Sequence, residues 1–288
     1  MRLALHQFDS RESTGPSLGP EDSPASKANS NTDRATNGAA PAAKPDVIFI
    51  HGTGSSAEMW QPQVELLTGL GYRCFVIDLR GHGQSNEPGE PTNLAVHNSD
   101  VLETIEDSPV RFPAIFVGHS LGAIISVTIA EQRPELISLI FAAGFPARVL
   151  KPMTLAFKLF LDNGYERLKA TNWHKGWAFR PRTLIETQKH SLSQIVENFG
   201  DLDFVTNLPK VKCRVHIAAG RFDPVAPSFY AQQVHRAMPN STFKMFEMGG
   251  HNFMDTHPKT FNKWLIDGLT EFECTAVGEK EETGKQAS

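Results

Sequence analysis

Apolar residues recur along this chain in two alternating rhythms. DVIFI (46–50), YRCFVIDL (72–79), AIFVG (114–118), LISLIFAAG (136–144) and CRVHIAAG (213–220) are short, nearly continuous apolar runs rich in β-branched and aromatic residues. Such runs predict strands buried on both faces. TFKMFEM (242–248) alternates apolar and polar positions and predicts a further strand. Between the runs the spacing becomes helical. Trp60, Val64 and Leu67 share one face of MWQPQVELLTGLG, and Phe261, Trp264, Leu265, Leu269 and Phe272 form a stripe over 258–272. LGAIISVTIAEQ (121–132) is apolar almost all round, as expected of a helix packed deep against a sheet. Strands alternating with helices of this length predict an α/β fold, a mostly parallel central sheet flanked by helices.

Two kinds of segment break the rhythm. The stretch from about residue 10 to 45 is rich in Ser, Pro, Asn, Ala and Gly and nearly lacks large apolar groups. It cannot bury enough surface to offset ordering entropy, so residues 1–45 are expected to be a disordered extension, with RLALHQF as one candidate remnant strand. Residues 274–288 have the composition of a flexible tail. Between them, 46–146 and 205–273 carry the sheet pattern, while 147–204 turns helical and predicts a small cap inserted into the core. Most of the cap's large apolar groups, Met153, Leu155, Phe157, Phe160, Trp173, Trp177 and Phe179, are expected to pack cap against core. A few are expected to face a cleft, and Trp173 and Trp177 are the substrate-binding candidates among them.

Composition narrows the function. A formal charge of -4 argues against a nucleic-acid partner, which would want a basic face. No run reaches the roughly 18 apolar residues of a membrane span, and the first twelve residues hold too short an apolar core for a secretory signal. Integral membrane association is therefore not expected. Cys74, Cys213 and Cys274 lie far apart, without the spacing of a disulfide framework, which favours a reducing compartment. A cytoplasmic location is the default expectation, and organelle targeting by the extension stays open. The eleven histidines show no metal-binding spacing, and no G-x-G-x-x-G follows a strand. Neither a metal nor an organic cofactor is expected. The oligomeric state is not readable.

The chemistry begins at VGHSLGA (117–123), where Gly118-x-Ser120-x-Gly122 joins a strand to a helix. A tight turn there would push the serine hydroxyl out over the sheet, with the helix N-terminus offering free N–H groups beneath it. A serine needs a histidine to take its proton and an acid to orient that histidine. Asp223, in GRFDPVAP, and His251, in GGHNFMDTHP, each follow a predicted strand. Loops at one edge of a parallel sheet converge, so the three can meet. Rivals are worse placed: Asp78 sits in the DLRGHG turn, Asp203 lies near the cap boundary, and His257 precedes a proline at a helix start.

From about residue 46 to 272 the chain resembles serine-nucleophile members of the α/β-hydrolase-fold superfamily, esterase- or lipase-like. The resemblance rests on HGTGSS, DLRGHGQS, GHSLG, GRFDPVAP and GGHNFMDTHPKTF in family order. It implies a catalytic triad of Ser120, Asp223 and His251, and an oxyanion hole from the backbone N–H groups of Thr53 and Leu121. Gly54 would let that loop approach the substrate, and His119 would line the site. The implied reaction is cleavage of a carboxylic ester, thioester or lactone with an apolar moiety through an acyl-enzyme, the partner being a small-molecule acyl substrate. Acyl transfer, carbon–carbon bond hydrolysis and a weakly catalytic ligand receptor are the alternatives on the same scaffold. Epoxide hydrolases and dehalogenases of this fold place an aspartate where Ser120 stands.

Overall fold

The computed structural model describes residues 1–9, 43–85, 89, 91–172, 179–199 and 202–286. Its centre is a seven-stranded sheet: β1 (Ala4–Phe8), β2 (Val47–Ile50), β3 (Cys74–Asp78), β4 (Ala114–His119), β5 (Ile137–Ala143), β6 (Arg214–Gly220) and β7 (Ser241–Phe246). The spatial order is β1-β3-β2-β4-β5-β6-β7. All neighbours pair in parallel except β1, which runs antiparallel to β3. Because the parallel strands point one way, the chain leaves β4, β6 and β7 at the same edge, which is where loops can pool their side chains.

β1 falls on the candidate remnant strand RLALHQF and corrects the expectation that all of residues 1–45 form a disordered extension. Its residues are not part of a disordered extension; they form the sheet edge, with Leu3 buried just before the strand. Leu3 N–H donates to Thr104 Oγ1 at 2.9 Å and Ala4 N–H to Ser85 Oγ at 2.8 Å, anchors that a local composition scan does not register. Most of the low-complexity stretch, 10–42, lies outside the described residues.

Helices cover both faces of the sheet. α1 (Gln61–Gly69) and α10 (Pro258–Gln286) pack on one face, where Trp60, Phe261, Leu265 and Leu269 join Phe49, Val76 and Phe141 of the strands. α2 (Leu94–Glu106), α3 (Leu121–Gln132) and α8 (Ser228–Ala237) close the other. α3 is buried along most of its length, which is why it lacks a polar face. The tail expectation is corrected too, since α10 continues to Gln286. Its last turns are rich in Glu and Lys, good helix formers, and although Gly278 and Gly284 lie among them no proline stops the helix.

Between β5 and β6 stand α4 (Lys151–Asn163), α5 (Tyr165–Ala170), α6 (Phe179–Glu186) and α7 (Lys189–Phe199). They share a small core of Leu161, Tyr165, Ile185 and Leu192. The two ends of this insertion are tied together: Phe204 N–H donates to the Ala147 carbonyl at 2.8 Å, and Arg148 pairs with Asp203 at 2.7 Å. A short helix α9 (Phe253–Thr256) precedes α10.

Candidate active site

The turn from β4 into α3 holds Ser120 at φ 52°, a left-handed conformation that a side chain rarely adopts. Such a residue costs about 1–3 kcal/mol and persists only where its surroundings over-determine it. Here they do. A Cβ at Gly118 would lie 2.5 Å from the Gly122 carbonyl carbon, and one at Gly122 would overlap the backbone oxygen of Ile50. Strand and helix therefore close to backbone contact around the serine, and Ser120 N–H is held by the Ala143 carbonyl at 2.9 Å.

The loops after β6 and β7 are packed together in the same way. A Cβ at Gly220 would lie 2.5 Å from the Gly249 oxygen, and Phe222 N–H donates to that oxygen at 2.9 Å. This brings Asp223 against His251. The Asp223 carboxylate is fully buried; Oδ1 accepts the Val225 and Ala226 amides, each at 2.8 Å, and Oδ2 accepts His251 Nδ1–H at 2.8 Å. With the proton on Nδ1, His251 Nε2 is free to accept from the Ser120 hydroxyl, 3.1 Å away. The three side chains stand in one hydrogen-bonded line.

The competing residues have other partners. Asp78 accepts the Ala57 and Gln84 amides at 2.6 and 3.0 Å and lies 3.0 Å from His6 Nε2. Burial opposes its ionisation, yet His51 and those hydrogen bonds prevail and hold its carboxyl below the usual range. Asp203 is engaged with Arg148, and His257 Nδ1 with Thr256 Oγ1 at 2.8 Å.

Thr53, Ser120, Leu121 and His251 line one end of a cavity of about 280 Å³. Leu121 begins α3, so its N–H has no intrahelical acceptor and is available to a ligand. The remaining wall is apolar apart from Thr154: Val149, and Met153 and Phe157 from α4, Leu184 from α6, Ile195, Val196 and Phe199 from α7, with Ile124, Pro146 and Val225 from the core. No charged side chain other than His251, when protonated, faces this cavity among the described residues.

Two expected substrate contacts need correction. His119 is buried behind His251, its ring centroid 4.8 Å away, and donates from Nε2 to the His251 carbonyl at 3.1 Å. It supports the backbone of the base instead of lining the cavity. Burial first, then His251 and Arg180, pushes its pKa well below that of a free imidazole and keeps it neutral. Gly54 (φ 69°) is likewise not among the residues lining the cavity; a Cβ there would lie 2.4 Å from Leu184 Cδ1, so the space beside it is taken by that side chain. Trp173 and Trp177 lie outside the described residues. Sequence reasoning missed the α7 wall, although Leu192, Ile195 and Phe199 recur there at helical spacing. It also missed Arg180, which reaches Asp255 Oδ2 at 2.5 Å and Ser55 Oγ at 3.0 Å and so ties α6 to α9, just after His251, and to the loop that carries Thr53.

A strand–serine–helix elbow facing an acid and a histidine from later strand ends defines a class of protein. Residues 47–264 match the model of the Alpha/beta hydrolase family, and the chain belongs to that family. Among similar proteins, the Escherichia coli protein named "Putative carbamate hydrolase RutD" is 25% identical over 246 residues, covering 78% of this chain and 87% of that protein. An esterase from Exiguobacterium antarcticum superposes with a TM-score of 0.69 at 19% identity, covering 79% of this chain and 92% of the other. A bromoperoxidase from Bacillus anthracis does so at 0.70 and 24%, covering 78% and 92%. Likenesses at these identities are likenesses of fold. No helix of the described residues is long and apolar enough to cross a membrane.

Proposed function

We propose that this protein is a serine hydrolase that cleaves neutral carboxylic esters, with thioesters and lactones as chemical equivalents, carrying a compact apolar acyl group. The observation that carries the reading is the relay itself, 2.8 Å from acid to histidine and 3.1 Å from histidine to serine, opening onto an apolar cavity. Ser120 Oγ adds to the carbonyl carbon as its proton passes to His251 Nε2. Asp223 stabilises the imidazolium, and the amides of Thr53 and Leu121 receive the oxyanion. The imidazolium then protonates the departing alcohol, leaving an acyl group on Ser120, and water activated by the same histidine clears it.

Addition of a serine to a carbonyl carbon serves a carbamate as well as an ester, which accommodates the name borne by the bacterial relative. The wall favours the ester, since apart from the Thr154 hydroxyl it offers free polar groups of a substrate no partner among Met153, Phe157 and Ile195. Intact-mass analysis after treatment with a fluorophosphonate should show a single adduct, absent in Ser120→Ala. Turnover of p-nitrophenyl esters should peak at short to medium acyl chains and exceed that of an N-alkyl carbamate. An unlabelled wild-type protein refutes the nucleophile, and a carbamate preference refutes the substrate class.

A further inference from the structure

The segment from Gly52 to Ser55 presents Thr53 to the cavity, and three consecutive peptide groups in it are held by three different side chains. His51 Nδ1–H donates to the Gly52 carbonyl at 2.8 Å, while its Nε2 accepts Leu79 N–H at 2.9 Å, which fixes the tautomer. In a trans peptide the carbonyl and the following N–H point in opposite directions, so this bond aims Thr53 N–H away from His51. Gly54 N–H donates to His82 Nε2 at 3.0 Å, and His82 Nδ1–H donates in turn to the Arg80 carbonyl at 2.8 Å. The Gly54 carbonyl accepts the hydroxyl of Thr183 at 3.0 Å. The first two holds come from the core. The third comes from α6, in the inserted cap, whose Leu184 side chain occupies the place where a Cβ on Gly54 would stand.

We propose that Thr183 is a positioning residue for the oxyanion-binding amide, so that seating of the cap and stabilisation of the transition state are coupled through the peptide groups of Gly54. This inference rests on the serine-hydrolase reading above. Thr183 is nearly fully buried, and its hydroxyl has two acceptors in reach, the Gly54 carbonyl at 3.0 Å and, less closely, the Arg180 carbonyl of its own helix at 3.2 Å, so the bond to Gly54 is the shorter of the two. Leu184 adjoins the same glycine and forms part of the cavity wall, so an acyl group filling the cavity bears on the element that holds the loop. Thr183 itself does not line the cavity of the relay, which separates positioning from substrate contact.

The test compares Thr183→Val, Thr183→Ala and Thr183→Ser with the wild type, by the rate of fluorophosphonate labelling of Ser120 and by kcat and KM on the best p-nitrophenyl ester, with Tm measured for each. A loosened oxyanion donor should slow labelling and lower kcat by about tenfold or more in the valine and alanine variants, leaving KM within about twofold, and serine should restore both. Two variants lacking the hydroxyl are used so that poor folding of one does not decide the outcome. If the wild type reacts but the valine and alanine variants keep its rates, or serine fails to rescue them, the positioning role is refuted and the hydrolase reading stands. If the wild type neither labels nor turns over, both are overturned.

Discussion

Asp223→Asn is the substitution whose consequence the geometry fixes most tightly. The asparagine must put one oxygen and one amide nitrogen where the carboxylate has two oxygens. The Oδ1 position faces two N–H donors, Val225 and Ala226, at 2.8 Å each. Turning the amide nitrogen toward them would forfeit both bonds and bring donor against donor, a cost of roughly 1–3 kcal/mol for each. The choice between imidazole tautomers is a smaller matter, so the oxygen stays at Oδ1 and the nitrogen faces His251 Nδ1. That nitrogen donates, and Nδ1 must then accept. The proton moves to Nε2, where the Ser120 hydroxyl needs an acceptor 3.1 Å away. The relay keeps its shape and loses its direction. A triad locked in the wrong tautomer loses about 10⁴ in kcat, equivalent to roughly 5.5 kcal/mol of transition-state stabilisation. KM should stay near the wild-type value, because the cavity walls are untouched. Steady-state kinetics on the preferred ester, with a thermal melt to confirm the fold, measures this. A loss of less than about tenfold would mean that some other group orients His251, and the reasoning from the Val225 and Ala226 amides would fail.

Two further outcomes concern stability. Gly122→Ala drives a methyl group into the Ile50 backbone, which has no side-chain rotamer to give way; the loss should be at least about 3 kcal/mol, and calorimetry should find Tm lowered by roughly 6–12 °C. Acid should destabilise the fold below about pH 6.5 through buried neutral histidines. Burial pushes His51 down to about 4 and His82 and His97 to about 3. From pH 6.5 down to those values the unfolded chain binds protons that the folded chain refuses, so stability falls as pH falls, by about 1 kcal/mol per histidine between pH 7 and 5.5. Urea titrations at the two pH values should differ by roughly 3–4 kcal/mol from these three groups; equal midpoints and slopes would show that the imidazoles are already charged in the folded protein.

The features that could be read from sequence share one property: their signal lies within a few neighbouring residues. A continuous apolar run marks a buried parallel strand wherever that strand ends up, and the glycines beside Ser120 mark a backbone contact made within the same turn. Asp223 and His251 could be placed because each follows its own strand, and a parallel sheet delivers both to one edge. β1 was poorly marked because an edge strand of five residues is only partly buried along its length, and its partner β3 lies far along the chain. The cap shows the same limit. Of the cap's large apolar residues singled out in sequence, Met153 and Phe157 reach the described wall, whereas Leu155, in the same helix, is 59% exposed, and Ile195 and Phe199 of the wall come from a helix that was not singled out. Which stripe of a helix meets a cavity depends on how that helix docks, and composition is blind to docking.

Gly54 carries this argument furthest. A glycine beside an expected oxyanion donor suggests room for substrate, and that inference uses only what glycine lacks. The structure shows what its backbone has, an N–H answered by His82 and a carbonyl answered by Thr183, 28 and 129 residues away in sequence. Nothing in HGTGSS names either partner. Buried peptide groups must be satisfied somewhere, so an exposed-looking loop in a crowded site obliges distant residues to supply donors and acceptors. Catalytic side chains announce themselves by type and position. The residues that aim the backbone toward the transition state do not, since a threonine in one helix of a cap is chemically like any other until the carbonyl it meets is known.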